Sequence, residues 1–150
     1  MLSDQIKEEL KAAMKSVDTK TTSVLRMVIS AMHSKEIELR TLSGKAVEEL
    51  TDEQVLDVIR KEVKKRKESI SAFTVGGRPA LAAKEQEELV ILRRYLPPEM
   101  SEEEIRVVIE RSITTHPSNK EFGALMKIVM QELKGKADAG LIAKLLKEKL

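Results

Sequence analysis

The stretch VLDVIRKEVKKRKESISAFTVGGRPALAAKEQEELVILRRYLPP, residues 55–98, decides the fold. Val55, Ile59, Val63, Ile70 and Phe73 recur at helical spacing and so share one face of a helix. Arg66 falls in the middle of that face. Gly76-Gly77 then supplies a stop, because glycine is favoured at helix ends, and Pro79 suits the first turn of the next helix. On the return, Ala82, Leu89, Leu92 and Leu96 form a matching stripe with Glu85 at its centre. The pattern is a helical hairpin. Folding it antiparallel brings Arg66, ten residues before Gly76, to about the level of Glu85, eight residues after Gly77. We therefore expect an Arg66–Glu85 ion pair inside the seam, where arginine's planar fork suits a carboxylate away from water. Its expected role is to fix register between the helices. A catalytic carboxylate tuned by the arginine is the sharper alternative, but no second acid, base or nucleophile converges there in the sequence.

Upstream of this hairpin the spacing predicts two helices. The first opens at Ser3 as N-cap and runs to about Lys15, with Ile6, Leu10, Ala13 and Met14 inward. Asp18-Thr19-Lys20-Thr21 opens the second, which carries Leu25, Val28, Ile29 and Met32 inward and runs to about Arg40. Leu42-Ser43-Gly44-Lys45 breaks it. Thr51 with Gln54 is a capping box that starts the long helix of the hairpin. Downstream, Pro97-Pro98 is the strongest break in the chain, since proline lacks a backbone donor and forces the residue before it out of helical geometry. A subdomain boundary is expected there, giving parts 1–97 and 98–150. Ser101 with Glu104 is a second capping box, followed by Ile105, Val108, Ile109 and Ile113 facing inward. His116-Pro117-Ser118-Asn119 ends that helix. Another, from about Lys120 to Leu133, buries Phe122, Leu125, Met126 and Val129. Gly135 marks a tight turn before a last helix with Leu141, Ile142, Leu145 and Leu146. The expectation is an all-α chain: a helical hairpin-bundle first, then a small three-helix bundle.

Composition agrees. Of the 150 residues, 35% are charged and only 2% aromatic, with no Trp, while 41% are hydrophobic and patterned, which suits a folded helical chain and not a disordered one. With no cysteine, disulfides, thiolate catalysis and cysteine-held metals are excluded. No apolar run approaches the length of a membrane span, and Met1-Leu2-Ser3-Asp4 lacks the apolar stretch of a signal peptide, so a cytoplasmic protein is expected. The net charge of +2 is too small to draw nucleic acid by the overall field, so any such binding must come from local patches.

Two patches qualify. Lys61, Lys64, Lys65 and Lys67, with Arg60, crowd the long helix, and Lys127, Lys134, Lys136, Lys144, Lys147 and Lys149 crowd the last two. Such lysines bind phosphate backbones in a salt-dependent, weakly sequence-specific way. Base reading would need exposed aromatics, and with Phe73 and Phe122 on core stripes only Tyr95 is a candidate. The plainer reading is that these are solvated helix faces with nearby Glu partners. His33 and His116 stand alone, without ligand spacing, so no metal and no cofactor is expected. Gly76-Gly77-Arg78 lacks the lysine of a phosphate loop and reads as a helix stop. Met27, Met32, Met126 and Met130 read as core filler. The serines have no partnering His and acid, so nucleophilic catalysis has no support.

Gly123-x-x-Met126-x-x-x-Met130, Lys134-Gly135-Lys136-Ala137-Asp138 and Leu141-Ile142 resemble the end of the tail domain of GatB, a component of the glutamine-dependent tRNA amidotransferase. That enzyme converts misacylated Glu-tRNA(Gln) or Asp-tRNA(Asn) to the amidated product. Lys64-x-Arg66-x-x-Ser69, Gly76-Gly77-Arg78, Glu85 and Tyr95-Leu96-Pro97 resemble the stand-alone GatB/YqeY-like proteins. The likeness spans nearly the whole chain. It implies an all-helical module whose tail-like loop, Lys134, Gly135 and Lys136 above all, contacts tRNA, while amidation is done by domains this chain lacks. Asp138 stands where many tails have asparagine and puts a negative charge beside the two lysines. Three functions follow as expectations: a non-catalytic module binding tRNA, an adaptor docking on a translation or aminoacyl-tRNA enzyme, and, from family naming alone, a carbon–nitrogen ligase with glutamine as amido donor.

Overall fold

The computed structural model describes residues 1–46 and 49–150, and among these it contains seven α-helices and no strand. They are α1 (Leu2–Lys15), α2 (Thr19–Ser43), α3 (Asp52–Val75), α4 (Pro79–Arg93), α5 (Glu102–Thr115), α6 (Phe122–Leu133) and α7 (Ala139–Lys149). The chain divides into two compact units, Met1–Leu96 and Pro97–Leu150.

The boundaries follow local chemistry. Thr51 and Ser101 each accept the N3 backbone N–H through the hydroxyl while Gln54 and Glu104 reach back to the cap, so both capping boxes form. The Asp18 and Asp138 side chains accept from Thr21 N and Leu141 N and start α2 and α7. Gly44, Gly77 and Gly135 take positive φ at the turns after α2, α3 and α6, a conformation that costs glycine nothing. Val17 does the same work at the end of α1 with φ 58°. A β-branched residue is strained there, and it is held by the Asp18 N–H donating to Ala13 O at 2.9 Å.

Ser3 does not cap α1. The helix begins one residue earlier, and the buried Ser3 hydroxyl donates to the Glu49 carboxylate at 2.6 Å. The free N–H of Leu2 donates instead to Asp52 Oδ1, at 2.8 Å, from the first turn of α3. A tertiary contact replaces the local cap because Asp52 is brought to the helix start.

In the first unit α1 packs on α2, and α3 and α4 form the hairpin, the most extensive helix–helix contact among the described residues. Its core is Ile6, Val24, Leu25, Val28, Met32, Leu50, Val55, Val58, Ile59, Val63, Leu89, Ile91 and Leu92. Met14 and Met27, expected inside, are about half exposed and line a cleft between α1 and α2. The second unit buries Ile105, Val108, Ile109, Leu125, Val129, Leu133, Ile142, Leu145 and Leu146. Full burial of such side chains contributes about 1.5–3 kcal/mol each.

Candidate functional site

The α3 face that carries Val55, Ile59 and Val63 also carries Arg66, and the hairpin closes over it. Its side chain is only 4% exposed. Nη1 donates to Glu62 Oε2 at 2.7 Å and to the Glu62 carbonyl at 3.3 Å. Nη2 donates weakly to the Met27 sulfur at 3.4 Å. Nε lies 3.4 Å from Glu88 Oε2 but out of line for a hydrogen bond, and it is buried without a partner. Lys65 adds an ion pair to the other oxygen of Glu62, at 3.3 Å.

The expected Arg66–Glu85 pair is therefore corrected: the carboxylates on Arg66 are Glu62 and Glu88. The reason is register. Gly77, the αL residue, is the pivot, and Arg66 lies eleven residues before it and Glu88 eleven after. Glu85 sits one helical turn nearer the pivot, half-buried at the wall of the same cleft, with no ion pair among the described residues. Glu62, buried one turn before Arg66, escapes the sequence reading although the same helical wheel contains it.

Tyr95 is half-buried against the first core, and its hydroxyl donates to the Glu9 carboxylate of α1. Burial first, then the Glu9 hydrogen bond and charge, push its ionisation well above the ordinary tyrosine range. The one aromatic proposed for base stacking is thus committed to holding α1 against the end of α4.

The lysine patches differ in how far they are neutralised. On α3, Arg60 pairs with Glu53 and Asp57, and Lys65 with Glu62. Lys61, Lys64 and Lys67 are exposed on the outer side, interleaved with Asp57 and Glu68. In the second unit, Lys149 pairs with Glu110, holding that exposed carboxyl below its usual range, and Lys147 lies 5.4 Å over the Phe122 ring. Lys127, Lys134, Lys136 and Lys144 are exposed and enter no ion pair among the described residues. Lys134 and Lys136 flank Gly135 in a turn pinned by Lys136 N donating to Leu133 O (2.9 Å) and Lys136 O accepting from Met100 N (3.0 Å). Asp138 does not answer them: its carboxylate caps α7, where the helix dipole favours a negative charge. At the start of α6, neither positive φ nor packing requires glycine at 123, and the space a Cβ would take there is open.

Among the described residues no three His, Asp or Glu side chains are placed to hold a metal ion. His116 is occupied by its own helix end, with Nδ1 3.0 Å from Ser112 O. No described helix is long and apolar enough to cross a membrane.

Comparison with known proteins adds a family and several relatives. The profile described as Yqey-like protein matches residues 3–150. "Altered inheritance of mitochondria protein 41, mitochondrial" of Saccharomyces cerevisiae is 35% identical over 91 residues, 61% of this chain and 46% of that protein. "Uncharacterized protein C22F3.15" of Schizosaccharomyces pombe is 38% identical over 92 residues, 61% of this chain and 69% of its own. The Vanderwaltozyma polyspora protein named like the first is 31% identical over 108 residues, 71% of this chain and 55% of that protein. The chain spans about half the length of these budding-yeast relatives.

Proposed function

The chain belongs to the Yqey-like protein family, and from that premise we propose that it is a non-catalytic helical module that binds the phosphate backbone of tRNA through its carboxy-terminal unit. The observation that carries this reading is the set of four exposed lysines on α6, α7 and the turn between them, Lys127, Lys134, Lys136 and Lys144, none engaged by a carboxylate among the described residues. Unpaired cations keep their full attraction for phosphate, whereas paired ones must first give up a partner. The pinned Lys134–Lys136 turn presents two of them on ordered backbone, which lowers the entropy lost on binding. Exposed aromatics do not contribute, so recognition reads backbone and shape. We place this activity in the cytoplasm; the budding-yeast relatives are mitochondrial by name.

The test is fluorescence anisotropy of a labelled tRNA pool across a salt series, with a Lys134→Ala/Lys136→Ala variant beside the wild type. Affinity should fall steeply with salt, and the variant should bind more weakly with a log–log slope smaller by about two, one for each phosphate contact. Absence of binding at low salt would overturn the proposal.

A second reading, docking on an aminoacyl-tRNA enzyme, has its own support. Met14, Val17 and Met27 are exposed together along a shallow cleft of about 470 Å³ between α1 and α2, and grouped exposed apolar side chains mark interaction surfaces. A complex with such an enzyme that survives nuclease and is lost in Val17→Asp would favour it over the RNA reading.

A further inference from the structure

The seam around Arg66 opens into a cleft of about 450 Å³ within the first unit, lined by Met27, Ser30 and Ser34 of α2, Glu62, Lys65, Arg66 and Ser69 of α3, and Glu85 and Glu88 of α4. That is the size of a small-molecule site. Two features of its charges are unresolved by the fold itself. Three carboxylates face two cations, and both cations are directed at Glu62, leaving Glu85 with no ion pair among the described residues and Glu88 with only the 3.4 Å approach to Arg66 Nε. Arg66 in turn is nine-tenths buried with Nε lacking any hydrogen-bond acceptor and Nη2 facing only a thioether. Nε–H and one Nη2–H point the same way from the planar guanidinium, forming the edge that takes a carboxylate through two parallel bonds. Leaving such donors buried and unmet is costly.

A cation alone would serve Glu85 and Glu88 but leave the guanidinium edge unmet. An anion alone would meet that edge but face the carboxylates. A ligand with both groups a few ångströms apart answers both demands. We propose that the cleft binds a small zwitterion of the α-amino acid class, its carboxylate on the Nε–Nη2 edge of Arg66 and its ammonium at Glu85 and Glu88. The hydroxyls of Ser30, Ser34 and Ser69 supply adaptable donors and acceptors around the same space. No residue of this site belongs to the α6–α7 lysine set, so the inference stands or falls separately from the RNA reading.

Isothermal titration of the full chain with each of the twenty common L-amino acids tests it. The strongest binder is then compared with its N-acetyl and its carboxamide derivatives, and with the Glu85→Gln variant. Glu85 is half-buried and outside every ion pair among the described residues, so its replacement keeps the fold, and an unchanged urea midpoint checks this. The expected result is one-to-one binding of the free amino acid, weaker by at least about tenfold for each blocked derivative and for Glu85→Gln, the size of one lost charge-assisted contact. Absence of binding by all twenty overturns the proposal. So does equal affinity of either blocked derivative, or an unchanged affinity in Glu85→Gln.

Discussion

The two units differ in the charge they bury: both link helices by exposed ion pairs, Lys20 with Glu87 in the first unit among them, but among the described residues only the first also draws charge inside. In the first, Arg66 and Glu62 are drawn into the interface of α3 with α4, where both side chains are less than a tenth exposed. In the second, the ions that link helices stay at the rim: Arg111 with Glu132 joins α5 to α6, and Arg106 with Glu148 and Lys149 with Glu110 join α5 to α7, all about half exposed. The fully buried hydrophobic side chains of the second core are all aliphatic, with Phe122 and methionines packed at its edge and Ser112 its one buried polar residue among those described. An aliphatic seam shows that this chain can join helices without burying charge. The ionic seam of the first unit is therefore a local specialisation, and it coincides with a cleft.

The comparison is broken most sharply at Arg66. Replacing it by Ala strands the buried Glu62 carboxylate and should cost about 3–5 kcal/mol. Urea unfolding followed by tyrosine fluorescence measures this in the first unit alone, because Tyr95 is the only tyrosine and there is no Trp. Removing both charges, as Arg66→Met with Glu62→Leu, should restore most of that loss. If the single variant loses less than about 1 kcal/mol, the pair behaves as an exposed one and the contrast disappears.

Smaller effects sharpen it. The same capping device starts a helix in each unit, so Thr51→Ala and Ser101→Ala should each cost about 1 kcal/mol, one in the tyrosine signal and the other in the helical signal of the second unit. Equal costs would show that the units differ in their seams and not in their helix starts. Relief of the strain at Val17 runs the other way: Val17→Gly should raise the first unit's stability by about 1 kcal/mol, since glycine accepts that φ freely. Breaking a rim pair with Arg111→Ala should cost less than about 1 kcal/mol, and added salt should shrink that cost further.

Tyr95 gives a pH test of the first unit. Its ionisation is pushed up in the folded state, so its contribution to stability is complete below the ordinary tyrosine range and is lost as pH climbs through the raised value. Ultraviolet titration should find the phenol still neutral at pH values where a free tyrosine is mostly ionised. Glu9→Gln should bring ionisation back towards the ordinary range, although the share due to burial would persist.

Much of this architecture is legible in the sequence because its signals are local. The capping boxes at Thr51 and Ser101, the glycines at 44, 77 and 135 and the periodic stripes all act within one or two helical turns, and the helices follow them closely. What the sequence misplaces depends on contacts across the fold. Ser3 loses its cap role to Asp52, fifty positions away from Leu2. Tyr95 is bound to Glu9, and Met14 and Met27 are left about half exposed. Arg66 falls in the seam as its spacing requires, but its partner turns on the pivot of the hairpin, and a shift of one helical turn exchanges Glu85 for Glu88. Of the candidate RNA residues, charge can be read from sequence but freedom from pairing cannot, since Lys149 and Lys134 look alike until Glu110 is seen beside one of them.

The most direct test of the central claim, RNA on the second unit and a separate ligand cleft in the first, is an amide NMR spectrum of the full chain during titration with the tRNA pool. The account predicts shifts concentrated on residues 134–138 and the flanking turns of α6 and α7, with the amides of Ser30, Ser69 and Glu85 unmoved. Shifts centred on the Arg66 cleft, or none at low salt, would contradict it.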